Sequence, residues 1–151
     1  KQEDFVNSLI TIFEETFDVH HGVYLDRDTS LFQTLDSVTA QQASIPVGGK
    51  CASLAAQVEH VIFYLDVLER YIVRNDSSPA DWGEIWRTVE KVTPEEWESS
   101  KGKLKDAYAR IMKMFRSIET WNEDAIGGAM GIVVHTAYHL GEIRQALCVL
   151  K

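Results

Sequence analysis

Apolar residues recur every three to four positions along four long segments of the chain, which is the spacing of one buried face of an α-helix. The pattern predicts long helices over about residues 2–19, 51–74, 93–118 and 122–150. Valine-rich runs of alternating polarity are missing from the sequence, so we expect no β-sheet. We therefore expect a single all-α domain over residues 1–151, in which the four long helices form a four-helix bundle.

The ends of two of these helices carry recognisable start signals. Thr93 is placed as an N-cap, with Pro94 at the first helical position and Glu96 completing a capping box. Asn122 is placed to cap the last helix, because its side chain can accept a hydrogen bond from the first turn. A shorter helix is predicted between the second and third long helices, with Ser78 as its N-cap and Pro79 at its first position.

The connection between the first two long helices is about 30 residues long. Residues 30–44 have the pattern of one or two short helical turns, and the segment IPVGGK (45–50) is a clear break. So long a connection is unusual inside a compact domain, and it is often functional or crosses the fold.

Composition and charge restrict the classes of partner. The formal net charge of −8 argues against a nucleic-acid partner, because phosphate binding depends on clustered Lys and Arg. Neither a basic amphipathic stretch nor an apolar run of ~18 residues indicates a membrane partner. The polar N-terminal segment has no signal-peptide core, and Cys51 and Cys148 are too few for a disulfide framework. We therefore expect a cytoplasmic protein with both thiols reduced.

Two histidines four residues apart stand in VVHTAYHLGEIRQAL (133–147), within the last predicted helix. His135 and His139 lie about 40° apart on the helix surface, which lets both imidazoles bind one metal ion. Such a pair also occurs in helices by chance. Thr136 stands where the zinc-protease motif HExxH has its glutamate, so that class is excluded. No glutamate lies three residues before a histidine, as a di-iron bundle requires.

The surroundings of this pair predict a cavity. The histidine side of the helix is built from small residues: Gly128, Gly131 and Ala146. Large residues on the opposite arc predict packing: Met130, Val133, Leu140 and Leu147. His60, in the middle of the second long helix, is the candidate third ligand, and the alternative is an ordinary hydrogen-bonded core histidine. His20 and His21 follow the first helix, where we expect a surface role.

These residues, in this order, resemble the DinB-like superfamily, also described as DinB/YfiT-like metalloenzymes. The resemblance rests on His60 in AQVEHVIFYLDVL, on His135 and His139 in HTAYHLGEIRQAL, and on the segment IPVGGKCASLAAQ before the second long helix. Gly141, Glu142, Ile143 and Arg144 match the continuation of the family motif. The resemblance covers nearly the whole chain.

The resemblance implies a fold, a metal and a class of chemistry. It implies a four-helix bundle with antiparallel second and fourth helices, and one divalent ion, nickel or zinc, held by His60, His135 and His139. Some relatives are thiol-dependent S-transferases or isomerases that use a low-molecular-weight thiol with a small-molecule substrate. Family members often form homodimers. The antiparallel arrangement places Cys51 and Cys148 at the same end of the bundle, where we expect two unrelated buried residues.

Three imidazoles leave an open position on the ion, which is typical of a catalytic site. The ion would then activate a thiol or a water molecule. Glu142, one turn beyond His139, is the candidate catalytic residue, as a base or as an acceptor that orients a histidine, and the alternative is a solvated carboxylate. We expect Arg144 to pair with a carboxylate. Trp82 and Trp86 can cover the cavity, but a core role is the preferred interpretation.

Two hypotheses follow for the function. The first is a metal-dependent enzyme, either a thiol S-transferase or a hydrolase. The second is a non-catalytic helical bundle that binds a small ligand or a partner chain and keeps a vestigial metal site.

Overall fold

The computed structural model describes residues 1–150 and is all-helical, with 71% helix and no strand in the described part of the chain. The all-α prediction is confirmed. A short 3₁₀ turn at Val47–Gly49 accompanies seven α-helices within these residues. The α-helices are α1 (Gln2–Phe17), α2 (Leu31–Asp36), α3 (Ala40–Ala43), α4 (Leu54–Arg74), α5 (Glu84–Thr88), α6 (Pro94–Ser117) and α7 (Glu123–Leu150).

The four longest helices are α1, α4, α6 and α7, and their bounds agree with the predicted ones to within three residues. Helix α4 lies against both α6 and α7, and α1 also contacts α6 and α7. The apolar faces of these helices meet in one core, because each face repeats with the helical period. The largest fully buried side chains of these four helices are Phe13, Phe17, Leu54, Leu65, Trp97, Leu104, Ile111, Phe115, Ile132 and Leu140.

Helices α4 and α7 run antiparallel. Near one end of the pair, Ile72 packs against Gly128, and towards the other end Gln57 contacts His139. As the residue numbers increase along α4, the residue numbers of the contacting positions on α7 decrease. This antiparallel arrangement, which brings the middles of the two helices together, confirms the orientation expected from the resemblance.

The long connection between α1 and α4 contains α2, α3 and the 3₁₀ turn, so the prediction of one or two helical turns over 30–44 is confirmed. Trp97 on α6 anchors this connection by donating a hydrogen bond from Nε1 to the carbonyl oxygen of Val38 at 2.8 Å. Arg144 on α7 donates from Nη1 to the hydroxyl oxygen of Thr34 at 3.0 Å. The expected carboxylate partner of Arg144 was therefore wrong, because α2 brings a hydroxyl group to that position.

One of the predicted helix starts is confirmed and another is wrong. Thr93 caps α6 with the predicted capping box to Glu96, and Pro94 is its first residue. The helix predicted to begin at Ser78 and Pro79 was wrong, since α5 starts only at Glu84. The N–H of Ser78 donates to Asp76 Oδ1 at 2.9 Å, and this local side-chain turn competes with a helical start.

Within residues 1–150, no single helix has both the length and the apolar character needed to cross a membrane. Two segments, residues 40–49 and 54–74, have the required length and apolar character only when they are taken together, and the chain bends by 99° between them.

Candidate metal centre

Three imidazoles from two helices meet where the middles of α4 and α7 cross. His60 projects from α4, and His135 and His139 project from consecutive turns of α7. One ligand nitrogen of each residue lies within 4.8 Å of the other two. His60 Nε2 and His135 Nε2 are 3.0 Å apart. His60 and His139 are buried, and His135 is half-buried. The structure thus brings the three predicted ligands together.

A glycine on α7 gives the site room for an aromatic side chain from α4. A Cβ atom at Gly131 would lie 2.9 Å from the hydroxyl oxygen of Tyr64. Because that Cβ is absent, the Tyr64 ring stacks on the His135 ring, with centroids 3.7 Å apart and planes 7° apart. At Gly128 the same kind of space is taken by Ile72. The small residues expected to leave a hollow therefore allow close packing instead.

Aromatic rings also cover the site from the α5 side. Trp86 packs on His60 with ring centroids 4.4 Å apart, while its own side chain is 40% exposed. Trp82 is 43% exposed and packs against the rings of Phe63 and Tyr64. The preferred core role for these tryptophans was wrong, because α5 is a short helix that lies over the site. Trp86 has the covering position that was the alternative.

Hydrogen bonds fix the orientation of one imidazole. His139 Nδ1 lies 2.5 Å from Gln57 Oε1 and 3.1 Å from Glu142 Oε1. Both partners are oxygen acceptors, so Nδ1 carries the proton and Nε2 keeps its lone pair. Metal-binding histidines commonly donate their other N–H to a carboxylate or carbonyl oxygen in this way. Glu142 therefore has the position of an acceptor that orients His139, which was one of the two roles expected for it.

The other two imidazoles lack such partners. His60 Nδ1 and His135 Nδ1 are buried, and neither has a hydrogen-bond partner among residues 1–150. Buried polar atoms in native proteins are almost always paired, so unpaired ones need a physical explanation. The explanation lies in the opposite nitrogens: Nε2 of His60 and Nε2 of His135 face each other 3.0 Å apart, and this ring orientation leaves each Nδ1 away from any partner in the described part of the chain.

The imidazoles are held in the neutral form that metal binding requires. Burial, together with the nearby His139 and His60, lowers the pKa of His135 to about 3. Burial also lowers the pKa of His60, helped by His139 and opposed by the carboxylate of Glu142. Burial lowers the pKa of His139 as well. Three neutral imidazoles at pH 7 present lone pairs and no competing protons.

The separation of two of the ligand nitrogens fits a divalent ion. Bonds of about 2.0–2.1 Å from imidazole nitrogen to metal place neighbouring ligand nitrogens about 2.9–3.4 Å apart. The 3.0 Å separation of His60 Nε2 and His135 Nε2 falls in that range. Imidazole suits zinc, nickel, copper and iron alike, so the donor set leaves the identity of the metal open.

An open cavity of ≈ 340 Å³ leads from the surface to His139. Its walls include Cys51, Trp86, Tyr138 and Glu142. A small molecule in this cavity would therefore meet His139 and the carboxylate of Glu142 together. The exposed fraction of the Glu142 side chain is 39%, which leaves its carboxylate accessible from the cavity.

Both cysteines are free and exposed, so their expected burial was wrong. Cys51 precedes α4 and shares a cavity wall with Val149, the neighbour of Cys148 in sequence. Both thiols therefore lie at the same end of the α4 and α7 pair, as predicted.

The two remaining histidines lie outside the cluster. His21 is exposed and its Nε2 lies 2.6 Å from Glu14 Oε2, and His20 Nδ1 lies 3.9 Å from Glu15 Oε1. Sequence reasoning missed Gln57, which orients His139 from α4. The available signal was its position one turn before His60, on the same face of the helix.

The chain matches no family model, and comparison with curated protein sequences and with solved structures finds no match.

Proposed function

We propose that this chain is a DinB-like four-helix bundle that holds one nickel or zinc ion at His60, His135 and His139 and uses it to activate a thiol or water. The reaction is then of the thiol S-transferase or hydrolase type, on a small-molecule substrate. The observation that carries the proposal is the meeting of three neutral imidazoles, two buried and one half-buried, with His139 lining an open cavity. A purely structural site would close the remaining position with a fourth protein ligand.

The residues around the histidines have separate tasks in this proposal. Gln57 and Glu142 hold the Nδ1 proton of His139 and so aim its Nε2 at the ion. Tyr64 fixes the ring plane of His135 by stacking, and Trp86 keeps water away from His60. The ion, when bound, lowers the pKa of the thiol or water that occupies its open position.

Glu142 is the group best placed to receive the released proton. Its carboxylate lines the cavity beside His139. In the transferase reaction the thiol sulfur bonds to an electrophilic carbon of the second substrate, the leaving group departs with its bonding electrons, and the thiol proton passes to Glu142. In the hydrolase reaction the proton comes from water instead. A low-molecular-weight thiol fits the open cavity of ≈ 340 Å³.

Metal content tests the proposal most directly. Protein purified without a nickel column should contain about one divalent ion per chain by elemental analysis, and His135→Ala should lose it. His21→Ala is the matched control, since this exposed histidine lies outside the cluster. Equal, stoichiometric binding by wild type and His135→Ala would exclude these ligands.

Activity then distinguishes an enzyme from a binding protein. The metal-loaded protein should consume a chromogenic electrophile or ester faster with its metal than after chelation, and the dependence on added thiol separates the two reaction types. Glu142→Gln should retain most of the metal while lowering kcat and flattening the pH profile. A metal-loaded protein without turnover in either assay would leave the non-catalytic alternative.

A further inference from the structure

Two larger cavities adjoin the cavity at His139 where helix α4 begins. One has a volume of ≈ 640 Å³ and the other a volume of ≈ 520 Å³. Cys51 and Ala52 line all three cavities. The cavity at His139 also shares Trp86 with the first neighbour and Glu142 with the second. The three cavities therefore form one groove with His139 in its middle part, and cavities of this size are ordinary for small-molecule sites.

The first neighbour, which we call the lysine cavity, has Lys50 and Lys91 in its walls. Both side chains are exposed, and neither forms an ion pair within residues 1–150. Glu90 is the acidic residue that lines the same cavity. The lysine cavity thus carries one net positive charge on a chain whose formal net charge is −8. An anionic group is attracted to this end of the groove.

Hydrogen bonds join the two segments that carry these lysines. The N–H of Val92 donates to the hydroxyl oxygen of Ser44 at 3.0 Å. The hydroxyl of Ser53 donates to the carbonyl oxygen of Glu90 at 3.4 Å. One lysine stands in sequence between the two serines, and the other stands between Glu90 and Val92. The two cations therefore stand on segments that are fixed to each other, although each side chain is free to meet a ligand.

The second neighbour, which we call the apolar cavity, is lined mainly by apolar residues: Val47, Ala52, Tyr138, Ala146 and Val149. Tyr138 is 63% exposed and Val149 is 64% exposed, so α7 leaves apolar surface open at this end of the groove. Exposed apolar surface on α7 was not expected. Met130 was predicted to pack in the core with Leu140 and Leu147, which are buried, but Met130 itself is 53% exposed.

We propose that the groove binds a small amphipathic carboxylate, with its anionic group at Lys50 and Lys91 and its apolar arm in the apolar cavity. The middle of such a ligand faces His139. The carboxylate of Glu142 lines the apolar cavity and the cavity at His139 but not the lysine cavity, so repulsion between like charges favours this direction over the reverse. As a statement of substrate class the inference rests on the proposed function, because that function supplies the reaction at the ion.

Titration of the full chain with octanoate, followed in two-dimensional amide NMR spectra, tests the groove. Octanoate should bind with a dissociation constant in the millimolar range or tighter, which is ordinary for a ligand of about ten heavy atoms. The amide signals of Cys51 and Ala52 should move most, because these residues line all three cavities. Octanol has the same chain without the charge and should bind more weakly.

Substitutions at the two ends separate the contributions of charge and apolar surface. Lys50→Gln combined with Lys91→Gln should raise the dissociation constant of octanoate about 5-fold or more, the loss expected for two exposed ion pairs, and should leave that of octanol unchanged. Lys113→Gln is the matched control, an exposed lysine of α6 outside the groove. Val149→Asp should also weaken octanoate binding, whereas Val134→Asp, at a 67% exposed valine of α7 outside the groove, should not.

The metal is scored separately from the groove. His135→Ala should lose the ion and keep its octanoate binding, because the lysines hold the carboxylate; loss of binding would mean that the ion holds it and would overturn the proposal. Octanoate that binds no better than octanol, or that binds the double lysine variant as well as the wild type, would also overturn it. Lysine-dependent binding by a protein without metal would uphold the groove and reject the proposed function, whereas one ion per chain without octanoate binding would do the reverse.

Discussion

Two buried polar groups in this chain are treated in opposite ways. Glu15, near the end of α1, is fully buried, and its carboxylate accepts hydrogen bonds from the backbone N–H groups of Val23, Tyr24 and Leu25 at 2.8, 3.3 and 2.9 Å. The histidine cluster is also inside the fold, yet His60 Nδ1 and His135 Nδ1 have no partner among residues 1–150. One group is satisfied by the chain itself, and the other is not.

The difference indicates what each group contributes. Glu15 closes the first loop after α1 by binding backbone only eight to ten residues away, so its role is to stabilise the fold. His60 and His135 are 75 residues apart in sequence, and their ring nitrogens face one another rather than the backbone. An arrangement that costs stability without an internal benefit indicates a ligand.

The largest expected effect comes from removing the satisfied group. Glu15→Ala leaves three loop N–H groups without their acceptor and should lower the free energy of unfolding by about 3 kcal/mol. Urea denaturation followed by circular dichroism measures it. Glu14→Ala is the control, because Glu14 is half-buried and, among residues 1–150, its side chain pairs only with His21. A loss no larger than that of the control would contradict a structural role for Glu15.

The histidine cluster could be predicted from the sequence, whereas the burial of Glu15 could not. The three imidazoles could be predicted because they stand inside long helices whose periodicity fixes which residues share a face. Glu15 follows Glu14 in a polar stretch and has the pattern of a solvated carboxylate. Its burial depends on how the loop of residues 18–25 folds back over α1. A loop has no repeating pattern of apolar residues, so its path cannot be predicted from the sequence.

The short helix α5 was poorly predicted for the same reason. The placement of Trp86 over His60 depends on the path of α5, which is only five residues long. The stacking of Tyr64 on His135 depends on the absence of a Cβ at Gly131. This is a contact between two helices, and the apolar pattern of neither helix predicts it. Helix faces follow from local periodicity, whereas contacts between elements follow from tertiary packing.

Metal binding should supply the stability that the unsatisfied cluster lacks. Nickel or zinc at about 100 times its dissociation constant should stabilise the wild type by about 2.7 kcal/mol, with a matching rise in Tm. His135→Ala should show no rise. Far-UV circular dichroism should stay helical after chelation, because the apolar core holds the fold without the ion, in contrast to a zinc finger. Loss of most helical signal at 25 °C would contradict this.

Replacing one histidine by an apolar residue should have the opposite sign to Glu15→Ala. His60→Leu removes a buried Nδ1 atom that has no partner and should raise the stability of the metal-free protein by about 1 kcal/mol while abolishing metal binding. Thr136→Val is the control, since the buried Thr136 hydroxyl already donates to the carbonyl oxygen of Ile132, and it should bring no gain. Denaturation in a chelating buffer measures both. A destabilised His60→Leu would mean that packing, not a ligand, explains the cluster.

The pH dependence of the free energy of unfolding tests whether the loop hydrogen bonds stabilise the charged form of Glu15. Burial alone would raise the pKa of Glu15, but the backbone hydrogen bonds from Leu25, Val23 and Tyr24, with His20 nearby, lower it below its ordinary value of 4.5. Below that ordinary value the unfolded chain binds a proton that folded Glu15 does not yet bind. The stabilisation is therefore complete above pH 4.5 and is lost as the pH falls through the folded pKa.

Glu15→Gln isolates this contribution, because other groups titrate in both proteins and cancel in the difference. The stability advantage of the wild type over Glu15→Gln should be constant between pH 5.5 and 7 and should shrink at more acidic pH. The slope is limited to about 1.4 kcal/mol per pH unit for a single proton. Urea denaturation of both proteins from pH 3 to 7 measures the difference. An advantage that stays constant down to pH 3 would mean that folded and unfolded Glu15 titrate alike, and the loop hydrogen bonds would then not favour its charged form.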